Sequence, residues 1–291
     1  MGAKRLNGIV IVDKPAGWTS QDVTAKLRRV FQTRRIGHGG TLDPMATGVL
    51  PVFVGRATRG VEFFEHAEKI YEAELRFGIT TDTEDITGTV LETRPVNVTE
   101  EDILKILPQF RGEIFQTPPM YSALKVDGKK LYDLARKGIE IPREPRKITI
   151  FSIDLLSFSG DTAHLRIHCS KGTYIRTLCK DIGEALGCSG CMAALRRTAA
   201  GDYTANDAIT LEQLLNTPEP EKYLRNVDTL FANHPAVTLT ENQEKRCRNG
   251  NTFSVTLPDG TYRTYSQRGE FLALSKVESG VMSTTKSFFE V

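Results

Sequence analysis

A glycine-rich segment with one carboxylate is the first place in this sequence where chemistry can be expected. Gly37 to Gly48 has the sequence Gly-His-Gly-Gly-Thr-Leu-Asp-Pro-Met-Ala-Thr-Gly. Its four glycines and one proline predict an irregular, tightly shaped loop. Asp43 precedes Pro44, which favours an extended backbone at Asp43. The carboxylate can project into a cleft or, alternatively, bond its own backbone in a turn. Spacing alone leaves both interpretations open, and it favours a structural role for His38.

An arginine and a tyrosine elsewhere in the chain are further candidates. Arg176 falls on the first turn of a predicted helix, and Tyr71 opens a strand of alternating apolar residues. If the Arg176 guanidinium met Asp43, it would favour the charged carboxylate. Spacing does not bring the two together, so a surface arginine is the alternative. By pattern alone, Tyr71 is a core aromatic.

Basic residues occur in small clusters, and two tyrosines, Tyr121 and Tyr132, lie among the central ones. Cations that bind phosphates and rings that stack on bases together suit RNA. A solvated charged face is the alternative. The clusters are Arg28 with Arg29, Arg34 with Arg35, Lys125, Lys129 with Lys130, Arg136 with Lys137, Arg143, Arg146 with Lys147, and Arg196 with Arg197.

The elements that must position these residues are short strands mixed with helices. Apolar or alternating runs predict strands at 9–12, 49–54, 70–77 and 163–169, and capped patterns predict helices after Thr19, after Thr99 and over 174–186. The mixture predicts an α+β fold around a mixed sheet. A change of composition near Asn233 divides the chain into domains of 1–232 and 233–291. The second is predicted to be small and mostly β, with a hairpin turn at Asp259-Gly260.

Composition narrows the class of protein. The net charge is only +2, so a basic surface has to come from local clustering. No apolar run is long enough for a membrane span, and the start, Met1 to Asn7, does not fit a signal peptide. Five scattered cysteines favour free thiols in a reducing cytoplasm.

Motifs for other chemistries are missing from the sequence. Cys188 and Cys191 form a lone C-x-x-C, for which we expect packing near a helix start rather than zinc binding. The sequence has no phosphate-binding loop of the G-x-x-x-x-G-K-[ST] type, no dinucleotide fingerprint, no H-E-x-x-H and no G-x-S-x-G. ATP-driven, redox and zinc chemistry are therefore disfavoured, and we expect no metal.

Several segments together resemble the TruB-type pseudouridine synthases. The stretch Gly37–Leu50 is similar to the catalytic motif of that family, and the other similar segments follow in the family's order. The resemblance covers most of residues 5–200 and is weaker over the tail, which looks like the PUA-like module of some members. The other segments are Asp13–Ser20, Lys69–Tyr71, Thr81–Gly88, Gln116–Lys125 and Ser170–Gly183.

This resemblance implies the pseudouridine synthase fold, which is α+β with a mixed, largely antiparallel sheet and flanking helices. It also implies a reaction and a set of site residues. The expected substrate is uridine 55 in the T-loop of tRNA, and Asp43 is the expected nucleophile. Tyr71 is expected to stack on the base and Arg176 to pair with Asp43. His38, Tyr174 and Lys14 are expected to support substrate binding.

The resemblance also implies two RNA-binding regions. The segment 116–144 resembles an RNA-gripping insertion, and the segment 233–291 resembles a PUA-like RNA-binding module. We expect no cofactor, no protein partner and a monomer.

The implied reaction is an isomerisation, since the base leaves the ribose through N1 and rejoins it through C5. The aspartate could attack ribose C1′, add to base C6 or assist glycal formation, and the sequence leaves these open. A uridine stacked in its loop must first be flipped out. Two other functions remain: an RNA-binding or RNA-folding protein without catalysis, and a glycoside or nucleoside hydrolase. The hydrolase would usually need a second carboxylate.

Overall fold

The computed structural model describes residues 6–126 and 128–290. Residues 1–5 lie outside the described residues. They belong to the segment Met1 to Asn7, for which the sequence predicts that it is not a signal peptide. Asp127, in the predicted insertion, and Val291 lie outside the described residues as well. In the part of the chain that is described, no helix is both long and apolar enough to cross a membrane.

The described residues form helices and strands with the following bounds. The helices are α1 (Ser20–Val30), α2 (Val61–Phe64), α3 (Glu100–Ile106), α4 (Leu131–Ala135), α5 (Ile175–Ala185), α6 (Leu211–Asn216) and α7 (Glu241–Arg248). The strands are β1 (Gly8–Lys14), β2 (Ile36–His38), β3 (Thr47–Val54), β4 (Lys69–Phe77), β5 (Ile79–Thr81), β6 (Val90–Thr93), β7 (Gly112–Gln116), β8 (Lys125–Val126), β9 (Lys129–Lys130), β10 (Arg146–Ser159), β11 (Thr162–Cys169), β12 (Gly190–Ala200), β13 (Tyr203–Thr204), β14 (Ile209–Thr210), β15 (Ala236–Thr238), β16 (Phe253–Ser254), β17 (Gly260–Tyr265), β18 (Phe271–Glu278) and β19 (Val281–Ser287).

The chain forms two compact units, and each is made of separate stretches of sequence. The first unit comprises Met1–Pro44, Leu50–Glu65 and Asp207–Val291. The second comprises Met45–Val49 and His66–Asn206. The chain crosses from the first unit to the second directly after Pro44, so the glycine-rich loop contributes residues to both. The predicted domain boundary at 232/233 stays a prediction.

The first unit contains two groups of strands. In one, β14 pairs in parallel with β1, and β2 pairs antiparallel with the later part of β3. In the other, five strands are ordered β15-β17-β18-β19-β16 over a core that includes Leu239, Tyr262 and Leu272. This second sheet confirms that the C-terminal end is small and mostly β.

The predicted hairpin turn at Asp259-Gly260 is wrong. The strands on either side of it are β16 and β17, but β16 pairs with β19 and β17 pairs with β18. The Asp259 carboxylate instead accepts a hydrogen bond of 2.8 Å from the Ser279 backbone N–H. An Asp-Gly pair favours a tight turn, but tertiary pairing decides which strands the turn joins.

The second unit is built on strands in the order β12-β4-β11-β10-β7. Each of these neighbours pairs antiparallel, whereas the start of β3 pairs with β12 in parallel. Along β4, buried residues alternate strictly with partly exposed ones, because successive side chains of a strand point to opposite faces. Helix α5 packs against β12 and β4. The prediction of an α+β fold with a mixed, largely antiparallel sheet is confirmed.

The helix starts follow their local sequence. Thr19 and Asp22 form a capping box at α1, and Thr99 and Asp102 form another at α3. The expectation that Cys188 and Cys191 pack near a helix start is wrong, because α5 has already ended at Ala185. Both cysteines are buried where the chain turns into β12.

Candidate active site

Asp43 is a half-buried residue on a loop that is fastened on both of its sides. On one side, the Ser20 hydroxyl donates to the Leu42 carbonyl at 3.1 Å and accepts from the Leu42 N–H at 2.9 Å. On the other, the Pro44 carbonyl accepts from the Gly17 N–H at 2.8 Å. The backbone around Asp43 is therefore fixed through its neighbours, and Asp43 itself lies outside helices and strands.

Lys14 also holds this loop in place and is completely buried. Its ammonium donates to the carbonyls of Trp18 at 2.6 Å, Pro15 at 2.9 Å and Pro44 at 3.2 Å. A buried charge is tolerated only when polar groups replace its hydration, and these carbonyls do so. Lys14 thus ties the turn after β1 to the residue that follows Asp43.

His38 and Gly39 shape the beginning of the loop. His38 ends β2 opposite Val52, and its Nε2 lies 3.5 Å from Nε2 of Gln21. At Gly39 a Cβ atom would lie only 2.5 Å from the ring of Phe64, so the close approach of backbone and ring requires glycine. The structure thus places Lys14, His38 and Asp43 in the first unit.

Arg176 is 5% exposed, so the alternative of a surface arginine is wrong. Its Nη1 donates to the Thr83 carbonyl at 2.9 Å and its Nη2 to the Tyr121 carbonyl at 2.7 Å. Its Nε lies 3.9 Å from a carboxylate oxygen of Asp85. The guanidinium is therefore held in one orientation on the first turn of α5. The expected pairing of Arg176 with Asp43 stays a prediction.

Asp85 is a buried residue that our reasoning from single residues missed. Its Oδ1 accepts from the Thr83 hydroxyl at 3.0 Å and from the backbone N–H and hydroxyl of Thr87 at 3.0 and 2.5 Å. The loop between β5 and β6 is thus organised around this carboxylate. The available signal was the run of threonines and acidic residues in Thr81–Gly88, since such side chains bond nearby backbone in turns.

Tyr71 and Tyr174 also lie in the second unit. Tyr71 is 8% exposed and occupies β4 opposite Ile167 of β11. Tyr174 immediately precedes α5, and the buried Gln116 side chain bonds both its backbone N–H, at 2.8 Å, and its carbonyl, at 3.0 Å. Gln116 therefore joins the end of β7 to the helix that carries Arg176.

Most of the basic clusters are exposed or half-buried, as a contact surface for RNA requires. Within the predicted insertion, the Lys130 ammonium donates to the Tyr132 hydroxyl at 2.9 Å, and Arg136 lies 5.4 Å from the centre of the Tyr132 ring. Arg197 is the exception, because it is only 1% exposed. Its assignment to the basic surface is wrong, since alternation along β12 turns it inward beside the half-buried Arg196.

The cysteines are poor candidates for chemistry. All five are free and buried. Burial raises the pKa of the Cys169 and Cys191 thiols to about 11, so neither forms the reactive thiolate readily. Among residues 6–126 and 128–290, no group of three or more histidines, cysteines and carboxylates is placed to hold a metal ion.

Two family models match the chain. Residues 28–175 match the N-terminal domain of the TruB family pseudouridylate synthases, and residues 176–228 match the C-terminal domain of tRNA pseudouridylate synthase B. The chain is 45% identical to tRNA pseudouridine synthase B of Clostridium kluyveri over 275 residues, which cover 92% of this chain and 95% of that protein. Identity to tRNA pseudouridine synthase B of Dechloromonas aromatica is 48% over 259 residues, 88% of this chain and 86% of the relative.

Among solved structures, the chain is similar to one of a Cbf5-Nop10-Gar1 complex. The TM-score is 0.73 at 26% identity, and the match covers 97% of this chain and 85% of the other. The similarity therefore extends over nearly the whole described fold.

Proposed function

The chain belongs to the TruB family of pseudouridylate synthases, and we propose that Asp43 is the group with which it isomerises uridine 55 in the T-loop of tRNA. The family matches and the relatives confirm the resemblance that the sequence motifs predict. The protein is accordingly a tRNA pseudouridine synthase, an isomerase.

The reaction rearranges one nucleotide without adding or removing atoms. The bond between N1 and C1′ breaks and a bond between C5 and C1′ forms. The hydrogen on C5 leaves to solvent, and N1 gains a proton. The uridine has to leave its stack before a protein side chain can reach these atoms, at a cost of about a few kcal/mol.

One observation carries the role of Asp43: the loop is fastened at Leu42 and Pro44, directly beside the carboxylate. A nucleophile gains most when it is held in the attacking geometry before the substrate arrives. A carboxylate can add covalently to an electrophilic carbon. Attack on C1′, addition to C6 and assistance to a glycal all remain compatible with this placement.

The other site residues are assigned supporting roles in the proposal. Tyr71 stacks on the flipped base and returns about 1–3 kcal/mol of the flipping cost. Arg176, whose guanidinium is preorganised by Thr83 and Tyr121, pairs with the Asp43 carboxylate. His38 and Tyr174 support the flipped loop, and Lys14 supports the backbone beside Asp43.

We further assign RNA binding to two regions. The segment 116–144 lies between the antiparallel neighbours β7 and β10 and carries clustered cations, which suits phosphate contacts. The C-terminal region 233–291 is assigned as a PUA-like RNA-binding module. In this proposal the enzyme works as a monomer in the cytoplasm, without a cofactor.

Replacing Asp43 tests the proposal directly. Asp43→Asn should release no tritium from tRNA labelled at uridine C5, while its affinity for tRNA stays close to that of the wild type. Asp202→Asn, an exposed carboxylate in the turn between β12 and β13, is the matched control and should release tritium at the wild-type rate. Release by Asp43→Asn would refute the nucleophile.

The substrate position needs a separate measurement. With the wild-type enzyme, a transcript in which cytidine replaces uridine 55 should release no tritium, and the unaltered transcript should release one equivalent. Pseudouridine at another position, with uridine 55 intact, would leave the activity standing but overturn the assignment of position 55. Free uracil among the products would indicate hydrolysis instead.

A further inference from the structure

Arg197 is a charged side chain in the interior of the second unit for which the proposed reaction has no use. It is 1% exposed and is one of the largest fully buried side chains among the described residues. Burial of a guanidinium is costly unless acceptors replace its hydration. Its Nε donates to the Val49 carbonyl at 2.7 Å. The side chain therefore reaches from β12 to the backbone where the glycine-rich loop passes into β3.

The main chain of Arg197 contacts the same segment. Arg197 is the partner of Gly48 in the parallel pairing of β12 with β3. Gly48 has a φ of 101°, and a Cβ atom there would lie 2.2 Å from the Arg197 carbonyl oxygen and 2.9 Å from its nitrogen. Both are backbone atoms, so no side-chain rotation would relieve the clash. Position 48 therefore requires glycine because β12 approaches it so closely.

On the other side of β12, Arg197 is the partner of Tyr71 in the antiparallel pairing with β4. Residues that oppose each other in an antiparallel pair place their side chains on the same face, and both of these are buried. The register shifts between Arg197 and Ala199. Irregularities of this kind re-aim side chains and are frequent beside active sites.

We propose that Arg197 is a positioning residue that fixes Tyr71 relative to Gly48 and Val49, the end of the loop that carries Asp43. The inference rests on the roles proposed above for Asp43 and Tyr71. Arginine suits the task because its planar guanidinium holds a fixed direction toward the Val49 carbonyl. A lysine would keep the charge but replace this plane with a mobile point charge.

Arg197→Lys is the variant that separates positioning from binding. With enzyme in excess and tRNA saturated, its single-turnover rate should fall by about 10- to 100-fold, since a displacement of about 1 Å at reacting groups has effects of this size. Its dissociation constant for tRNA should stay within about twofold, because a side chain that is 1% exposed cannot itself contact the tRNA. Arg166→Lys, an exposed arginine on β11, is the control and should match the wild type in both measurements.

Thermal unfolding of each variant identifies the temperature at which it is fully folded, and the rates are compared there. If Arg197→Lys does not fold, Gly48→Ala takes its place, because it disturbs the pairing of β12 with β3 next to the contact between Arg197 and Val49 and should show the same loss of rate without loss of affinity. A wild-type rate in the folded variant would overturn the proposal, and so would a rate loss that disappears at saturation. If neither variant folds, Arg197 acts in stability and the proposal is rejected.

The outcome can be distinguished from failure of the proposed function. Activity of Asp43→Asn would remove the nucleophile and with it the reason for positioning. An inactive Asp43→Asn together with a wild-type rate for Arg197→Lys would reject only the role of Arg197.

Discussion

Asp43 lies on a loop that is held by hydrogen bonds to the backbone of its neighbours, whereas Arg176 is held by hydrogen bonds of its own side chain. Around Asp43, the hydrogen bonds join Leu42 and Pro44 to Ser20 and Lys14, and the Asp43 side chain is half-buried. Arg176, in contrast, is buried and donates directly to two backbone carbonyls.

The difference follows from the two proposed tasks. A nucleophile must approach and leave a carbon atom, so precision has to come from the residues beside it. A group that stabilises charge does not change its bonds, and it works best when its dipoles or charges are oriented in advance. We therefore expect changes at Arg176 to act mainly on rate, and changes at the fastenings of the loop to act on stability and rate together.

Replacing Arg176 by lysine should have the largest effect in this comparison. Lysine keeps a positive charge but cannot hold the Thr83 and Tyr121 carbonyls with a planar fork. Turnover should fall by about 100-fold, the loss expected when one preorganised charge-stabilising group is removed. Steady-state kinetics on tRNA over neutral pH measure this.

Arg76→Lys is the matched control, because Arg76 is a partly exposed arginine of β4 that pairs with Asp161 at 2.6 Å. It should turn over at close to the wild-type rate. Should Arg176→Lys react as fast as the wild type at every neutral pH, the orientation of the guanidinium is irrelevant to catalysis, and the contrast with Asp43 disappears.

Replacing Lys14 by methionine should have the next largest effect. Methionine fills similar space but leaves the Pro15, Trp18 and Pro44 carbonyls without their buried donor, at a cost of about 1–3 kcal/mol in the free energy of unfolding. Turnover should fall as well, because the backbone after Asp43 loses a fastening. Denaturant unfolding followed by fluorescence measures the stability, and Trp18, the single tryptophan of the chain, reports on this turn.

Lys26→Met, at an exposed lysine of α1, is the control and should change the free energy of unfolding by less than about 0.5 kcal/mol. If Lys14→Met unfolds at the wild-type denaturant concentration and keeps its Trp18 emission, the ammonium is not what holds the loop. The bonds from Ser20 and Gly17 would then have to suffice.

Local patterns predicted the parts of this molecule that depend on neighbours in sequence. The capping box of α1 and the alternation of β4 both follow from residues within a few positions of each other. The glycine-rich loop was also evident, because glycine and proline limit the backbone directly. Motif resemblance added the family, which the comparisons confirm.

The hydrogen bonds that hold the Asp43 loop and Arg176 could not be predicted from such patterns, because they join residues far apart in the chain. Lys14 bonds a carbonyl thirty residues away, and Arg176 bonds one ninety-three residues away. For Arg197, neighbours in sequence led to a wrong prediction of exposure. Its neighbour Arg196 made it look like part of a basic surface, but the pairing of β12 with β3 and β4 decides that it is buried.

The smallest expected effect concerns Asp181, which lies on the same helix as Arg176. Burial, with a further contribution from the charge of Glu84, raises the pKa of the Asp181 carboxyl to about 6. Between about pH 4 and 6 the folded protein keeps a proton that the unfolded chain has lost, so stability falls as pH rises through this window. Asp181→Asn removes this cost. We expect a gain of about 1 kcal/mol in the free energy of unfolding at pH 8, because solvent screens a half-buried group.

The pH dependence of this gain separates ionisation from packing. At about pH 4 and below, the carboxyl is largely protonated in the folded protein and increasingly so in the unfolded chain, so the advantage of asparagine should shrink toward zero. Glu184→Gln, an exposed carboxylate on the same helix, should show little change at either pH. An equal gain at pH 4 and pH 8 would mean that packing of the amide is responsible. A gain confined to high pH would show that the helix orienting Arg176 tolerates a destabilising charge, whereas the buried charge of Lys14 donates to three backbone carbonyls, one of them that of Pro44 next to Asp43.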